Sequence, residues 1–164
     1  MKSLLIIPVS IALGGGSLPG ADKPDEAVEH ISALVTKGRG SPVVIKNKET
    51  LRKISELTPT GEQIAKAPLA IAVLMDNAKL PEIDGARAIQ NMVLAAWDIG
   101  IGACWVTNFY EDGVKDLLAA PQRMKLVSVI PFGYSAEPKA NRKKIRKPLE
   151  EIVHYEKFEA KRRP

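Results

Sequence analysis

Cysteine, histidine and long apolar runs are scarce in this chain of 164 residues, and each scarcity excludes a class of structure. The single cysteine, Cys104, excludes an internal disulfide and a cysteine-rich zinc site. Two histidines, His30 and His154, are too few for a histidine-based metal centre. The chain lacks a run of about 18 apolar residues, so we predict no membrane span. The lone cysteine favours a reducing compartment, and we expect a cytoplasmic protein that holds no metal.

A net positive charge is lacking along most of the chain and is concentrated near its end. Residues 139–164 contain ten Lys and Arg against four Glu, a net charge of +6, while the remaining residues sum to −1. We interpret residues 161–164 as a solvated basic tail, and we expect the run "KKIRKP" to meet one small anion. A nucleic-acid surface needs a broad basic face with interleaved aromatic residues, and only Tyr155 and Phe158 lie near these charges. We therefore predict no nucleic-acid partner, and an anion- or nucleic-acid-binding protein stays an alternative that rests on this segment alone.

Residues 1–23 are atypical for the start of a globular domain. The stretch "MKSLLIIPVSIAL" is similar to a signal peptide, but Pro8 interrupts it and the "LPGA" that follows is a poor cleavage site. The glycine-rich "GGGSLPGADKP" is predicted to be a loop, and because no Gly-Lys-Ser/Thr follows it, it is not a P-loop. We therefore place the domain at residues 24–160, between this atypical segment and the basic tail.

Hydrophobic periodicity predicts helices and strands in alternation within that domain. Helices are expected at residues 24–38, 48–57, 84–100 and 110–120, a helical turn at 60–67, a loop at 77–85, and strands at 42–47, 68–75, 103–106 and 124–134. The run "PLAIAVLM" is continuously apolar, so we predict a central strand covered on both faces. This order of elements is typical of a sheet with helices on its faces.

The clearest predicted helix is "DGARAIQNMVLAAWDIG". Its apolar residues recur at helical spacing: Ala88, Ile89, Met92, Val93, Ala96 and Ile99. The alanines of this helix would let another helix approach closely, and we interpret Trp97 as a core or interface residue. Gly100 is expected to end the helix, because glycine adopts the left-handed conformation that helix ends favour.

Three further motifs follow one another along the chain: "ARAIQNMVLAAWDIGIGACWVTNF", "VKDLLAAPQRMKLVSVIPFGYSAEP" and "RKPLEEIVHYEKF". In this order and spacing they resemble the nitroreductase-like FMN-dependent oxidoreductases, and the resemblance covers roughly residues 24–158. It implies an α+β, nitroreductase-like layered fold with a central mixed sheet and helices on both faces. It also implies an obligate homodimer with FMN at the dimer interface. Helix 84–99 would lie near the two-fold axis, and residues 148–160 would wrap onto the partner.

The same resemblance implies which residues bind the cofactor. The segment from Trp105 through Val106 and Thr107 to Asn108 would pass along the flavin ring, with a backbone N–H aimed at the ring nitrogen N5. Lys144 and Arg146 match the basic positions that contact the FMN phosphate. NAD(P)H would donate electrons, and a small acceptor such as a nitroaromatic or a quinone would receive them. This chemistry needs no acid–base dyad or triad, and the sequence contains none that we recognise.

Two departures from the family pattern leave a second interpretation open. Family members begin with a helix that carries R-R-S-x-R for the FMN phosphate, and residues 1–20 contain no arginine. The stretch "VTKGRGSPVV" replaces a longer P-S-x-x-N-x-Q-P-W segment, and Arg39 is the candidate substitute for a lost cation. The alternative is therefore a degenerate member that keeps the fold and dimer but binds flavin weakly or not at all. In either case we interpret Cys104 as a small buried hydrophobe, not a nucleophile.

Overall fold

The computed structural model describes residues 40–76, 79–134 and 145–158. Its elements are β1 (Gly40–Ile45), α1 (Lys48–Glu56), α2 (Glu62–Lys66), β2 (Leu69–Met75), α3 (Pro81–Asp98), β3 (Gly102–Ala103), α4 (Glu111–Leu117), β4 (Lys125–Gly133) and a 3₁₀ helix (Leu149–Glu151). The helix predicted at residues 24–38 lies outside the described residues, as do segments 1–23 and 161–164. Within the described ranges, no helix is long and apolar enough to cross a membrane.

The four strands form one sheet in the order β1-β2-β4-β3. Every pairing among the described residues is antiparallel, whereas the resemblance implied a mixed sheet. Ile45 at the end of β1 pairs with Ala70 near the start of β2, so α1 and α2 return the chain to the end of the sheet that it left. The next strand therefore runs in the opposite direction, which permits an antiparallel ladder without a crossover.

Strand β2 separates two layers of core, as expected for a strand that is apolar at every position. Its even-numbered residues share one layer with buried side chains of α1, α2 and α4. Its odd-numbered residues share the other layer with one side of α3, whose fully buried members are Ile89, Met92 and Ala96. Successive strand residues point to opposite faces, so one strand supplies both layers. The predictions of a central strand covered on both faces and of a layered α+β fold are confirmed.

Strand β4 carries one more residue than β2 over their shared length. Val73 pairs with Ser128 and Leu74 pairs with Leu126, so Val127 has no Cα partner on β2. This is a β-bulge, which locally twists a strand and changes the direction of the side chains beside it. The bulge falls in the part of β4 that also faces the segment after β3.

Helix α3 begins three residues earlier than predicted. Residues 81–85, which were predicted to belong to a loop, are therefore helical, and that part of the prediction is wrong. Its first residue is Pro81, a position where proline is favoured because the first helical N–H needs no partner within the helix. The helix ends at Asp98, and Gly100 follows with a φ of 80°. The left-handed turn predicted for this glycine is therefore confirmed. Ile99, expected in the apolar stripe, is instead half exposed.

Among the described residues, two groups of large apolar side chains stand out by their exposure. One lies on the outer side of α3 and on the residues that flank it, where Leu80, Ile83, Leu94, Trp97 and Ile99 are exposed. The other lies in the segment 145–158, where Ile145, Leu149, Ile152, Tyr155 and Phe158 are exposed. Clustered apolar exposure of this extent typically marks an interaction surface.

Candidate functional site

The strand predicted from "ACWV" is interrupted, and a proline in the neighbouring strand explains the interruption. Only Gly102–Ala103 form β3, and pairing with β4 resumes at a single bridge between Val106 and Val129. Between these points, the Cys104 N–H donates to the Pro131 carbonyl at 3.3 Å. Pro131 has no N–H with which to return the bond, so the ladder breaks opposite it.

Beyond the break, β4 holds the Val106 carbonyl with two donors. The Ser128 hydroxyl donates to this oxygen at 2.7 Å, and the Val129 N–H donates to it at 3.2 Å. In a trans peptide the N–H of the next residue points opposite to the carbonyl, and the described residues contain no cis peptide. The Thr107 N–H therefore points away from β4, at the edge of the sheet that the described strands form.

The four residues predicted to line the flavin divide into one anchor and three exposed members. Val106 is buried in the core layer that α1, α2 and α4 cover. Trp105 is 43% exposed, and Thr107 and Asn108 are exposed. The segment is therefore held in place by one buried side chain, while its other three residues are accessible. This arrangement suits a site in which backbone groups bind a ligand.

Both ends of this segment are tied to the body of the domain. At its start, β3 lies so close to β4 that a Cβ added to Gly102 would be only 3.2 Å from the Gly133 carbonyl oxygen. At its end, the Tyr110 N–H donates to the Leu57 carbonyl at 2.8 Å. These fixed ends limit how far the residues between them can move, which favours a preformed site.

An ion pair secures the helix that leads away from the site. The Glu111 carboxylate accepts from Lys125 Nζ at 2.6 Å and from the Leu126 N–H at 3.1 Å, which joins the start of α4 to the start of β4. Burial opposes ionisation of this carboxyl, but the bonds from Lys125 and Leu126 and the nearby charge of Lys115 outweigh it and lower the pKa of Glu111. The hydrogen bond between Lys125 and Glu111 in turn raises the pKa of Lys125.

The surroundings of Cys104 are those of a structural residue and not of a reactive thiol. It is half-buried and packs against the core layer that contains Val106. Burial raises the pKa of the thiol, and a weak contact with Gln63 Nε2 at 3.6 Å opposes this only in part. A raised pKa keeps the sulfur protonated at neutral pH and disfavours a nucleophilic role, in agreement with the sequence interpretation.

The two residues predicted to meet the phosphate are not joined to this segment by any described contact. Lys144 lies outside the described residues. Arg146 is exposed in the segment 145–158 and forms no ion pair with another described residue.

Ser128 on β4 contacts the candidate segment, and sequence reasoning missed it. It is fully buried, and its hydroxyl fixes the Val106 carbonyl. A signal was present, because a serine interrupts the otherwise apolar run "LVSVIPF". A buried hydroxyl requires a hydrogen-bond partner, so its presence there indicated a nearby carbonyl or ligand.

The chain is similar to known proteins over most of its length. The model of the Nitroreductase family matches residues 19–134. A protein of Methanothermobacter thermautotrophicus, provisionally named NADH dehydrogenase/NAD(P)H nitroreductase, is 39% identical over 105 residues, which are 58% of this chain and 54% of that protein. The aligned part therefore spans about half the length of that relative.

Solved structures support the same fold. A Bacteroides thetaiotaomicron protein with the same provisional name superposes with a TM-score of 0.76 at 22% identity, covering 93% of this chain and 94% of that one. An FMN-dependent nitroreductase from Clostridium difficile gives a TM-score of 0.72 at 22% identity, covering 82% and 88%. The layered sheet agrees with these structures, and the family model covers the core strands and the segment Trp105 to Asn108, but not Lys144 or Arg146. This chain therefore belongs to the nitroreductase family of oxidoreductases.

Proposed function

We propose that this protein is an FMN-dependent NAD(P)H oxidoreductase of the nitroreductase type. It would pass two electrons through the flavin to a small acceptor such as a nitroaromatic or a quinone. The observation that supports this most directly is the Thr107 N–H, which faces outward because β4 holds the carbonyl of the same peptide. The names of its relatives, an NAD(P)H nitroreductase and an FMN-dependent nitroreductase, support the same chemistry. Such an enzyme fits the cytoplasm, where NAD(P)H is available.

The residues of this segment fit a flat, hydrogen-bonding ring. FMN, when bound, supplies two-electron hydride chemistry, and the protein supplies binding, orientation and local charge. Trp105, Thr107 and Asn108 would border the ring, while buried Val106 keeps their backbone in place. Lys144 and Arg146 would attract the phosphate, which carries close to two negative charges. None of these residues needs to act as an acid or base.

A homodimer is part of the proposal, because the family resemblance places the cofactor at a subunit interface. The apolar side chains of α3 and of segment 145–158 leave much of their surface exposed. Trp97 is 60% exposed and Phe158 is 84% exposed, values that favour burial against a second copy. We infer that α3 lies near the two-fold axis and that residues 148–160 wrap onto the partner.

Flavin binding decides between this function and a family member that has lost its cofactor. We expect the purified protein to be yellow, or to take up FMN with a fluorescence change that saturates. The bound flavin should then be bleached by NADH or NADPH under anaerobic conditions and regain its colour when a quinone is added. A colourless protein that stays colourless at excess FMN would contradict the proposal and favour the degenerate alternative.

A further inference from the structure

Ser128 is a buried polar residue in a strand that is otherwise apolar around it. Its side chain has no exposed surface, and its hydroxyl donates to the Val106 carbonyl at 2.7 Å. That bond joins positions 22 residues apart in sequence. The carbonyl also receives the Val129 N–H from the backbone ladder, so the serine adds a second donor to an oxygen that already has one.

The bulge in β4 lies directly beside Ser128. Leu126 and Val129 lie in the same core layer although they are three residues apart, and Ile130 lies in the other layer. The unpaired residue Val127 therefore shifts the alternation of side chains by one, and Ser128 occupies the position where the shift occurs. From there its hydroxyl reaches across to the neighbouring chain segment.

We propose that Ser128 is a positioning residue of the flavin site. Its hydroxyl fixes the plane of the Val106–Thr107 peptide and polarises it, so that the Thr107 N–H donates more effectively to the flavin ring. The inference rests on the proposed function, because it assumes that FMN lies at the edge of the sheet beside this segment. It assigns to Ser128 an effect on the ring, which the serine itself does not touch.

Elementary properties of the peptide group support this role. A peptide is planar, so fixing the carbonyl also fixes the direction of the N–H on its other side. A donor to the carbonyl draws charge through the conjugated peptide and strengthens the N–H as a donor, since hydrogen bonds in chains reinforce one another. With two donors on the Val106 oxygen, the Thr107 N–H is both better oriented and more acidic than with the ladder bond alone.

A second buried hydroxyl in the same protein offers a matched control. Thr58 is buried, and its hydroxyl donates to the Ile54 carbonyl at 2.7 Å, at the end of α1. Ser128→Ala and Thr58→Val therefore each delete one hydroxyl and one buried hydrogen bond of the same length. A purely structural role predicts similar consequences for both, whereas a positioning role predicts a change in flavin recognition for Ser128→Ala alone.

The experiment compares the affinities of the full-length protein for FMN and 5-deaza-FMN, in which a C–H group replaces ring nitrogen N5 and cannot accept a hydrogen bond. Wild type and Thr58→Val should prefer FMN to the same extent. Ser128→Ala should reduce that preference by about three- to tenfold, the range that corresponds to weakening or losing one ordinary hydrogen bond. Its affinity for 5-deaza-FMN should change little, which separates the effect from general loss of structure.

The outcomes separate the two proposals. Wild type that binds neither flavin would overturn both the proposed function and the role of Ser128. Wild type that binds and prefers FMN, together with an unchanged preference in Ser128→Ala, would overturn only the positioning role. An equal loss of preference in Ser128→Ala and Thr58→Val would also overturn it, because the effect would then follow from stability and not from the peptide of Val106.

Discussion

Thr107 contributes to the proposed site through its backbone. The effect of a substitution on FMN affinity should therefore depend on whether the new residue keeps the N–H. Thr107→Pro removes the outward-facing N–H, and we expect FMN to bind roughly tenfold more weakly. Thr107→Val keeps the N–H and the shape of the side chain and should bind FMN as wild type does. Titration of each variant with FMN, followed by flavin fluorescence, measures the difference. Wild-type affinity in Thr107→Pro would mean that the ring lies elsewhere.

Arg146 tests the other end of the cofactor. A hydrogen bond to a charged group contributes about 1.5–3 kcal/mol, so Arg146→Ala should weaken FMN binding roughly 10- to 100-fold. Riboflavin lacks the phosphate, and its affinity should be nearly unchanged. Arg52→Ala is the control, because Arg52 is an exposed arginine on α1 that pairs with Glu56. Equal losses for both ligands, or no loss for either, would remove Arg146 from the phosphate site.

The sequence predicted the elements whose patterns are local and missed the features that depend on a neighbouring strand. The apolar run of β2 and the periodicity of α3 identified both, although Pro81 was not recognised as the first residue of the helix. The interruption after β3 depends on Pro131, which is far away in sequence and has no effect until β4 lies beside it. For the same reason, the motif predicted a site segment but did not predict which of its N–H groups faces outward.

Helix α3 packs against the bulge of β4 through Gly85. A Cβ at this position would lie 2.7 Å and 3.0 Å from the two methyl carbons of Val127. We expect Gly85→Ala to lower the free energy of unfolding by about 1–3 kcal/mol, even though alanine favours helices by about 1 kcal/mol. Urea unfolding measures the change. Combining Gly85→Ala with Val127→Ala should recover part of the loss, and no recovery would mean that this contact is not its cause.

The Glu111–Lys125 pair between α4 and β4 should make stability depend on pH at the acid end. The pKa of Glu111 is lowered in the folded state, so its contribution is present above the ordinary glutamate pKa and is lost as pH falls through the folded value. The pKa of Lys125 is raised, so its contribution is lost only at strongly alkaline pH. Glu111→Gln should therefore flatten the fall in stability below about pH 4.5.

Glu62→Gln provides the comparison for this pH dependence. Glu62 also has a lowered pKa, because of its bond with Lys66 and the charge of that lysine, but the pair is on the surface of α2. Exposed ion pairs contribute little to stability, so this variant should keep the acid dependence of wild type. Thermal unfolding measured from pH 3 to pH 7 compares the two. An unaltered curve for Glu111→Gln would show that other carboxylates cause the acid loss.

The whole molecule is expected to be a dimer, and its uncovered apolar surfaces show where to disturb it. Leu94 is 57% exposed on the outer side of α3, and Leu94→Glu should convert a dimer at micromolar concentration into monomers. Arg52→Glu changes charge on α1, away from that surface, and should leave the dimer intact. Sedimentation velocity distinguishes the two states. A wild-type monomer at micromolar concentration would contradict the dimer, and an unchanged dimer after removal of residues 148–164 would contradict the wrapping of this segment.

The bulge in β4 also affects which changes of chain length the protein can accept. In a strand buried on both faces, gaining or losing one residue normally moves every later side chain into the wrong layer. Val127 is an exception, because its loss would not move the later side chains to the other layer. Without it, simple alternation would still place Leu126 and Val129 in one layer and Ile130 in the other. A one-residue deletion at this point would therefore keep Leu126, Val129 and Ile130 in their present layers, but it would remove the packing of Val127 against α3.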